Sequence, residues 1–402
     1  MEQIFIPEKV VLYLESDEQT GAFHDLENDS RAYINADTKA KLVKQSVAII
    51  HELISGGFVT EKRPKNQGLI KKVKTDPPLR VVFIELTKKC NLRCKHCYVP
   101  DCNDSIDCAN AKEMTFTNIN KLISQIDDLG VMELQLTGGE LFVLPYAIYI
   151  IREAQNRLIP CSIFTNGTLL TEDVFRYISE NNYGLIFYVS LDGYQKTHDI
   201  FRRSPGAFQK TIKTIHRLLQ MDCDVRINTS IGRHNIAEMS QFIQFIKNEF
   251  GVLHRLVTVE PIGRADAKMT ITAQEFADLL QEGRNSLEFL DSHDSISDWA
   301  IPACGIGSSM LFIDAYGNVS FCPTLTQKEN SNFLAGNINC SSLKNIWEKS
   351  PVFKKFRGIQ CNTANQCQFK ELCKGGCRSR AYLSNGNIGS PDLAMCLLYN
   401  AK

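Results

Sequence analysis

The chain has no run of eighteen or more apolar residues, so no helical membrane span is expected. Its opening, Met1-Glu-Gln-Ile-Phe-Ile-Pro7, lacks the basic and apolar zones of a secretion signal. The expected compartment is the cytoplasm. Neither sign of charge is in excess: 45 Lys and Arg face 45 Asp and Glu, a net charge of zero. No overall field then favours nucleic acid or an anionic membrane, and neither is expected as a partner. Cysteine, by contrast, is plentiful, with 15 among 402 residues. In a long chain without an export signal this points to metal binding or catalysis in a reducing compartment rather than to disulfides. The length predicts two or three domains, and 44% hydrophobic residues supply their cores.

Three of the cysteines stand within eight residues, as Cys90-x3-Cys94-x2-Cys97. They follow an apolar run, Val81-Val-Phe-Ile84, that reads as a strand. Three thiolates can hold three irons of a cubane and leave the fourth iron open for chemistry. A structural zinc site would want four closed ligands, and the nearest nitrogen, His96, shares the loop with two of the thiolates.

Between about residues 80 and 260, strand-like and helix-like segments alternate, the pattern of a parallel sheet with helical crossovers. Strands are expected at 80–86, 132–137, 161–165, 185–190, 224–231 and 255–260. Asn118–Ile126 and Ile236–Ile246 carry apolar residues at helical steps. Six such units make an incomplete barrel, whose chemistry belongs at the C-terminal ends of its strands.

Short turns fall at those ends in order: Gly138-Gly139-Glu140, Thr165-Asn166-Gly167-Thr168 and Ser190-Leu191-Asp192-Gly193, then His198-Asp-Ile-Phe-Arg202. Together with the cysteine loop they resemble the radical S-adenosylmethionine (SAM) enzymes, in particular those that modify peptides. The resemblance implies a partial (β/α)6 barrel and a 4Fe-4S cluster on Cys90, Cys94 and Cys97. The unique iron of that cluster chelates SAM, and one electron cleaves SAM to a 5'-deoxyadenosyl radical. It further implies that Gly138, Gly139 and Glu140 meet the SAM amino group and that Ser190, in the stretch containing Asp192, lies near the SAM ribose or carboxylate. Arg202 would reach the SAM carboxylate and His96 would stand at the adenine-contacting position. Asn228 and Pro261–Ala265 occupy further family positions. Leu141 departs from a usual proline, and Arg203 reads as a solvated neighbour.

The C-terminal part holds Cys304, Cys322, Cys361, Cys367, Cys373, Cys377 and Cys396. Leu311–Ser320 reads as a hairpin turning at Tyr316-Gly317-Asn318. This region resembles the SPASM extension with two auxiliary 4Fe-4S clusters. Position by position, Cys304, Cys322 and Cys377 would hold the first and Cys361, Cys367, Cys373 and Cys396 the second. Alanine stands at 364, where the family usually has a cysteine. No cysteine closely follows Cys304, so the first auxiliary cluster either keeps an open iron or borrows Cys340. Cys161 and Cys223 read as small buried hydrophobes. Cys102 and Cys108 are loop thiols, with a hydrogen-atom donor role as the alternative.

Residues 1–75 precede the barrel. Val10–Leu14 suggests a strand, and Lys39–Ile54 an amphipathic helix ended by Gly56-Gly57. This layout resembles the winged-helix-like domain that binds leader peptides by strand addition. Lys62–Lys74 reads as a basic linker that would favour an acidic leader. The expected domains are therefore 1–75 for leader recognition, 80–290 for the barrel and 300–402 for the SPASM clusters. The expected function is maturation of a ribosomally made precursor peptide, with a thioether from a cysteine sulfur to a carbon as the favoured bond, as in sactipeptides and ranthipeptides. An external donor of flavodoxin or ferredoxin type would supply electrons. Peptide carbon–carbon crosslinking, epimerisation, sulfatase maturation, a haem-pathway oxidase and a non-catalytic iron–sulfur sensor are the alternatives.

Overall fold

A computed structural model describes residues 6–7, 9–14, 21–27, 30–34, 53–60, 69–99, 112–282, 305, 307–326, 331–357 and 359–400. Cys102, Cys108, Cys304 and most of the expected 39–54 helix lie outside the described residues. Two sheets organise the chain. The first contains β1 (Val10–Leu14), β2 (Gly21–Asp25), β3 (Arg31–Ile34) and β4 (Leu69–Lys72), in the order β3-β2-β1-β4. β1 runs antiparallel to β2 and parallel to β4.

β4 corrects the reading of 62–74 as a linker throughout. Val73 is fully buried and Lys71 is only 6% exposed. A lysine fits in this strand because its ammonium donates to Asp127 Oδ1 at 2.8 Å and to the Arg157 carbonyl at 2.6 Å. Charge and hydrogen-bond partners together offset its desolvation.

The second sheet begins with β5 (Val81–Glu85), β6 (Glu133–Thr137), β7 (Cys161–Thr165), β8 (Leu185–Ser190), β9 (Asp224–Ile231) and β10 (His254–Thr258). These six strands pair in parallel in chain order, as an incomplete barrel requires. β9 shows why they form a sheet between helices and lumen. Val225, Ile227, Thr229 and Ile231 are buried, and Asp224, Arg226, Asn228 and Ser230 alternate with them on the other, concave face. Helices cover the apolar face: Phe116–Asp128 starts at a capping box of Thr115 with Asn118 and buries Ile119, Leu122, Ile123 and Ile126. None of the described helices is long and apolar enough to cross a membrane.

The C-terminal hairpin joins the barrel sheet directly. β11 (Met310–Ile313) pairs in parallel with β5, then β12 (Asn318–Ser320) and β13 (Gly336–Asn337) follow antiparallel. Trp347 is fully buried behind it and donates to the Pro77 carbonyl at 2.7 Å. The N-terminal sheet sits at the other end of the barrel, against the segments entering β6 to β8. Tyr13 donates to the Met132 carbonyl at 3.3 Å and the Gly184 N–H donates to the Leu26 carbonyl at 2.5 Å. Contact there is close, since a Cβ on Gly130 would stand 2.2 Å from the Lys72 oxygen.

Candidate active site

The loop that leaves β5 is held by its neighbours' backbones. The Gly139 N–H donates to the Thr87 carbonyl at 2.6 Å and the Glu140 N–H to the Lys89 carbonyl at 2.9 Å. A Cβ on Gly139 would stand 2.3 Å from the Lys89 oxygen, so this approach requires glycine. On the far side, the Arg264 N–H donates to the Cys97 carbonyl and its Nε to the Cys94 carbonyl, both at 2.9 Å. Glu113 receives Thr87 Oγ1 at 2.9 Å and the Lys88 N–H at 2.6 Å. The three cysteines thus project from a braced loop. Cys94 is buried, with Arg202 Nη1 at 3.8 Å from its sulfur. Cys90 reaches the surface, yet lost hydration around its sulfur pushes the thiol up to about 11. Burial also raises Cys97, against the pull of Arg264.

Asp192, at the end of β8, is fully buried and receives Arg202 Nε at 2.7 Å on Oδ2 and the Ser230 N–H at 3.0 Å on Oδ1. Burial pushes its pKa up, but Arg202 and then His96 and His198 outweigh that and hold it below the usual carboxylate range. A charged pair therefore persists beside Cys94. The Asp192 N–H donates to His198 Nδ1 at 3.1 Å, which makes that nitrogen an acceptor. Burial lowers His198 to about 4, so the ring is neutral at pH 7. His96, Phe201 and His234 form a stack, with Phe201 and His234 centroids 3.2 Å apart and His96 and Phe201 5.3 Å apart. Burial lowers His96 to about 4 and His234 to about 3. His96 Nδ1 is buried and has no hydrogen-bond partner.

Glu140 is 1% exposed and accepts from Thr165 Oγ1 at 2.8 Å, the Asn166 N–H at 2.7 Å and the Phe142 N–H at 3.2 Å. Its carboxylate ties the turn after β6 to the turn after β7. From that second turn, Asn166 Nδ2 donates to Asn91 Oδ1 at 3.0 Å and stands 4.0 Å from the Cys90 sulfur. Gly138 packs against Thr87, whose oxygen would lie 3.0 Å from an added Cβ. Ser190 and Asn228 are register partners on the concave face, and Asn228 Oδ1 is a buried acceptor without a partner. Cys90, Cys94, Cys97, His96, Gly138, Gly139, Glu140, Asp192 and Arg202 are thus joined in one network at the strand ends, with Ser190 and Asn228 beside it. Arg203 is exposed and left-handed, as expected of a neighbour outside the network.

A second assembly lies in the C-terminal part. Cys361, Cys367 and Cys373 all come within electrostatic reach of Cys396, whose pKa burial and then these thiols push up to about 11. Cys322 lies within reach of Cys377, and the Ser379 hydroxyl stands between them, 3.1 Å from Cys377 Sγ. Burial pushes Cys322 up to about 12. Asp392 anchors the arrangement by accepting the Cys377 N–H at 2.7 Å and Arg380 Nε at 2.8 Å. Among the described residues no three His, Cys, Asp or Glu side chains close to the spacing of a single metal ion. A cubane is wider and holds its thiolates farther apart.

Two family matches overlap these assemblies, with Arg264, Arg380, Asp392 and Cys396 beyond the matched residues. The Radical SAM superfamily matches residues 84–246, and SPASM, an iron–sulfur cluster-binding domain, matches residues 304–378, together more than half of the chain. The chain is a radical SAM enzyme with a SPASM domain. It is 27% identical over 340 residues to the AdoMet-dependent heme synthase of Methanosarcina barkeri, which covers 77% of this chain and 93% of the relative. It is 28% identical over 320 residues to the subtilosin biosynthesis protein AlbA of Bacillus subtilis, covering 77% and 69%. Streptococcus suis SuiB bound to precursor peptide SuiA superposes with a TM-score of 0.69 at 13% identity, over 98% of this chain and 100% of that one. At that identity the likeness concerns the fold.

For a radical SAM/SPASM enzyme the donor sets fit what the family implies. Among its described residues the barrel loop offers three thiols, and the partnerless His96 Nδ1 and Asn228 Oδ1 are polar atoms left for a ligand. Sequence reasoning missed His234, Glu113 and the bracing role of Arg264. His234 lies in the ordinary turn Gly232-Arg-His-Asn235, and Glu113 is more than twenty residues from Thr87 and Lys88, which it holds. No local pattern marks either.

Proposed function

We propose that this enzyme matures a ribosomally made precursor peptide, forming a thioether between a cysteine sulfur and a carbon of another residue. The observation that carries the peptide reading is the N-terminal sheet of β1 to β4, firmly seated on the barrel. The likeness to peptide-bound SuiB covers 98% of the chain and so takes in that sheet. AlbA, named for bacteriocin biosynthesis, adds a relative from peptide maturation.

In this reading Cys90, Cys94 and Cys97 hold the SAM-binding cluster, and Cys322 and Cys377, with Cys304, hold the first auxiliary cluster. Cys361, Cys367, Cys373 and Cys396 hold the second. When bound, these groups and SAM supply a 5'-deoxyadenosyl radical for hydrogen abstraction and a sink for the electron left on the product. The chain does the rest. Gly138 and Gly139 let backbone groups approach SAM, and Glu140 fixes the turn that presents Asn166. Arg202, neutralised by Asp192, orients toward Cys94 and the SAM carboxylate. Neutral His96 in its ring stack offers a face for adenine, and Ser190 and Asn228 line the lumen. Leader residues add to the N-terminal sheet, and a flavodoxin or ferredoxin delivers the electron. In the thioether step an S–H and a C–H bond break and an S–C bond forms, so two protons and two electrons leave.

The test is anaerobic incubation of reconstituted protein with SAM, dithionite and a cysteine-containing precursor. Expected are 5'-deoxyadenosine, a two-dalton mass loss and a sulfur that resists alkylation; a product lacking the last two refutes the thioether. A haem-pathway oxidation is the second reading, favoured by the 93% coverage of the M. barkeri relative. Offering the enzyme the precursor peptide and, separately, an iron porphyrin separates them, since each reading expects turnover of one of the two.

A further inference from the structure

Among the described residues, the concave face of the barrel carries two arginines that the network above does not use, Arg226 and Arg255. Arg255 on β10 is a register partner of Asn228, which partners Ser190. Neighbouring strands lie about 4.8 Å apart, so Arg255 stands two strands, about 10 Å, from Ser190 in the same row. It is exposed, at the edge where the incomplete barrel opens. Its guanidinium lies 5.9 Å from the Phe164 ring and 5.7 Å from the Tyr188 ring. Those rings are themselves stacked 4.6 Å apart at 7°.

The neighbouring arginine behaves differently. Arg226 is committed, with Nη2 at 2.8 Å from Asp224 Oδ2 and Nη1 donating to the Tyr188 hydroxyl at 3.1 Å. Arg255 has ring contacts but, among the described residues, no carboxylate. A guanidinium laid over aromatic faces keeps its N–H edge free and held in place. That edge matches the fork of a carboxylate.

We propose that Arg255 is a specificity-determining residue that receives a carboxylate of the substrate, an acidic side chain close in sequence to the residue that loses hydrogen. Phe164 and Tyr188 form the plate on which the adjoining apolar part of the peptide rests. The inference rests on the peptide reading above and adds to it a required charge near the modified position.

The test uses reconstituted holoenzyme and three probes: a fluorescein-labelled twelve-residue peptide with one Cys and a central Glu, its Gln counterpart, and iron coproporphyrin III. Affinity is read by anisotropy, and the Arg255 side chain by mass mapping after phenylglyoxal treatment. A charge-assisted pair predicts that the wild type binds the Glu peptide about tenfold or more tightly than the Gln peptide. The ratio should fall to about one in Arg255→Ala and recover in part in Arg255→Lys, and the Glu peptide should shield Arg255 from phenylglyoxal. Equal affinities in the wild type, or an unchanged ratio in Arg255→Ala, overturns the inference. Displacement of the Glu peptide by iron coproporphyrin III with loss of that displacement in Arg255→Ala overturns the peptide assignment in favour of a propionate. SAM cleavage by the wild type is scored separately. Its failure strikes at the radical reading, whereas the binding ratio reports on Arg255 alone.

Discussion

The cysteine loop after β5 and the thiol quartet of the C-terminal part collect their sulfurs by different means. In the loop, three thiols come from eight consecutive positions, and the fold adds braces: Gly139 and Glu140 on one side, Arg264 on the other. In the quartet, Cys361 and Cys373 reach Cys396 only through tertiary contacts: the Asn362 N–H donates to the Gly389 carbonyl at 2.7 Å, and Asp392 accepts the Cys377 N–H at 2.7 Å. The first arrangement is written locally and rigidified by strand ends. The second exists only after tertiary closure, so its donors depend on the packing of the whole C-terminal part.

Cys94→Ala separates the two most sharply. Loss of the buried central thiol should abolish 5'-deoxyadenosine formation, measured by liquid chromatography of quenched reactions, and should leave the auxiliary clusters visible by electron paramagnetic resonance. Retained SAM cleavage would show that the loop is not the catalytic centre. Gly139→Ala comes next, because its methyl would have to push the Lys89 carbonyl, a backbone atom 2.3 Å away. We expect the loop to shift and barrel-site iron to drop while C-terminal iron stays; equal loss from both would erase the distinction drawn here.

Asp192→Asn tests the electrostatic part of the brace. It leaves the Arg202 guanidinium buried without its countercharge, a change worth about 3–5 kcal/mol when one member of a buried pair is removed. Urea denaturation should show that loss as a lower midpoint, together with weaker SAM binding. A midpoint within error of the wild type would mean that Arg202 is neutralised elsewhere. Cys373→Ala acts on the other assembly. About four irons should be lost from the C-terminal part, product formation should fail, and SAM cleavage should continue. If SAM cleavage fell with it, the two assemblies would be one cooperative unit.

Most of the barrel was legible because parallel strands buried on one face repeat apolar residues in step, as Val225, Ile227 and Ile231 do on β9. The expected boundaries 161–165, 185–190 and 224–231 coincide with β7, β8 and β9. The cysteine loop was legible for the same reason, since its spacing is local. What escaped is what needs distant partners. Lys71 looked like one charge in a basic linker, and only Asp127 and the Arg157 carbonyl make it a buried strand residue. β11 looked like part of a separate hairpin, and its parallel register with β5 comes from pairing across more than two hundred residues. Glu140 read as a SAM contact by resemblance, and only the fold shows that its oxygens also accept from Thr165, Asn166 and Phe142.

The smallest expected effect concerns Cys340, the candidate to complete the first auxiliary cluster. β12 and β13 pair antiparallel through Asn318 and Asn337, and Cys340 follows at the end where Tyr316 turns, its N–H donating to the Asn337 carbonyl at 3.0 Å. Asn339 Nδ2, next to it, donates to the Tyr316 carbonyl at 3.2 Å. Cys322 lies past the opposite end of β12. β12 is extended over Asn318–Ser320 and the chain bends at Phe321, so Cys340 and Cys322 leave opposite ends of a strand whose register the sheet fixes. Cys340→Ser should therefore leave iron content, SAM cleavage and product formation at wild-type levels. A loss of iron, or a change in the paramagnetic signal of the auxiliary clusters, would require β13 to detach and carry Cys340 across. In that case the C-terminal part assembles its donors with a freedom that the sheet register denies.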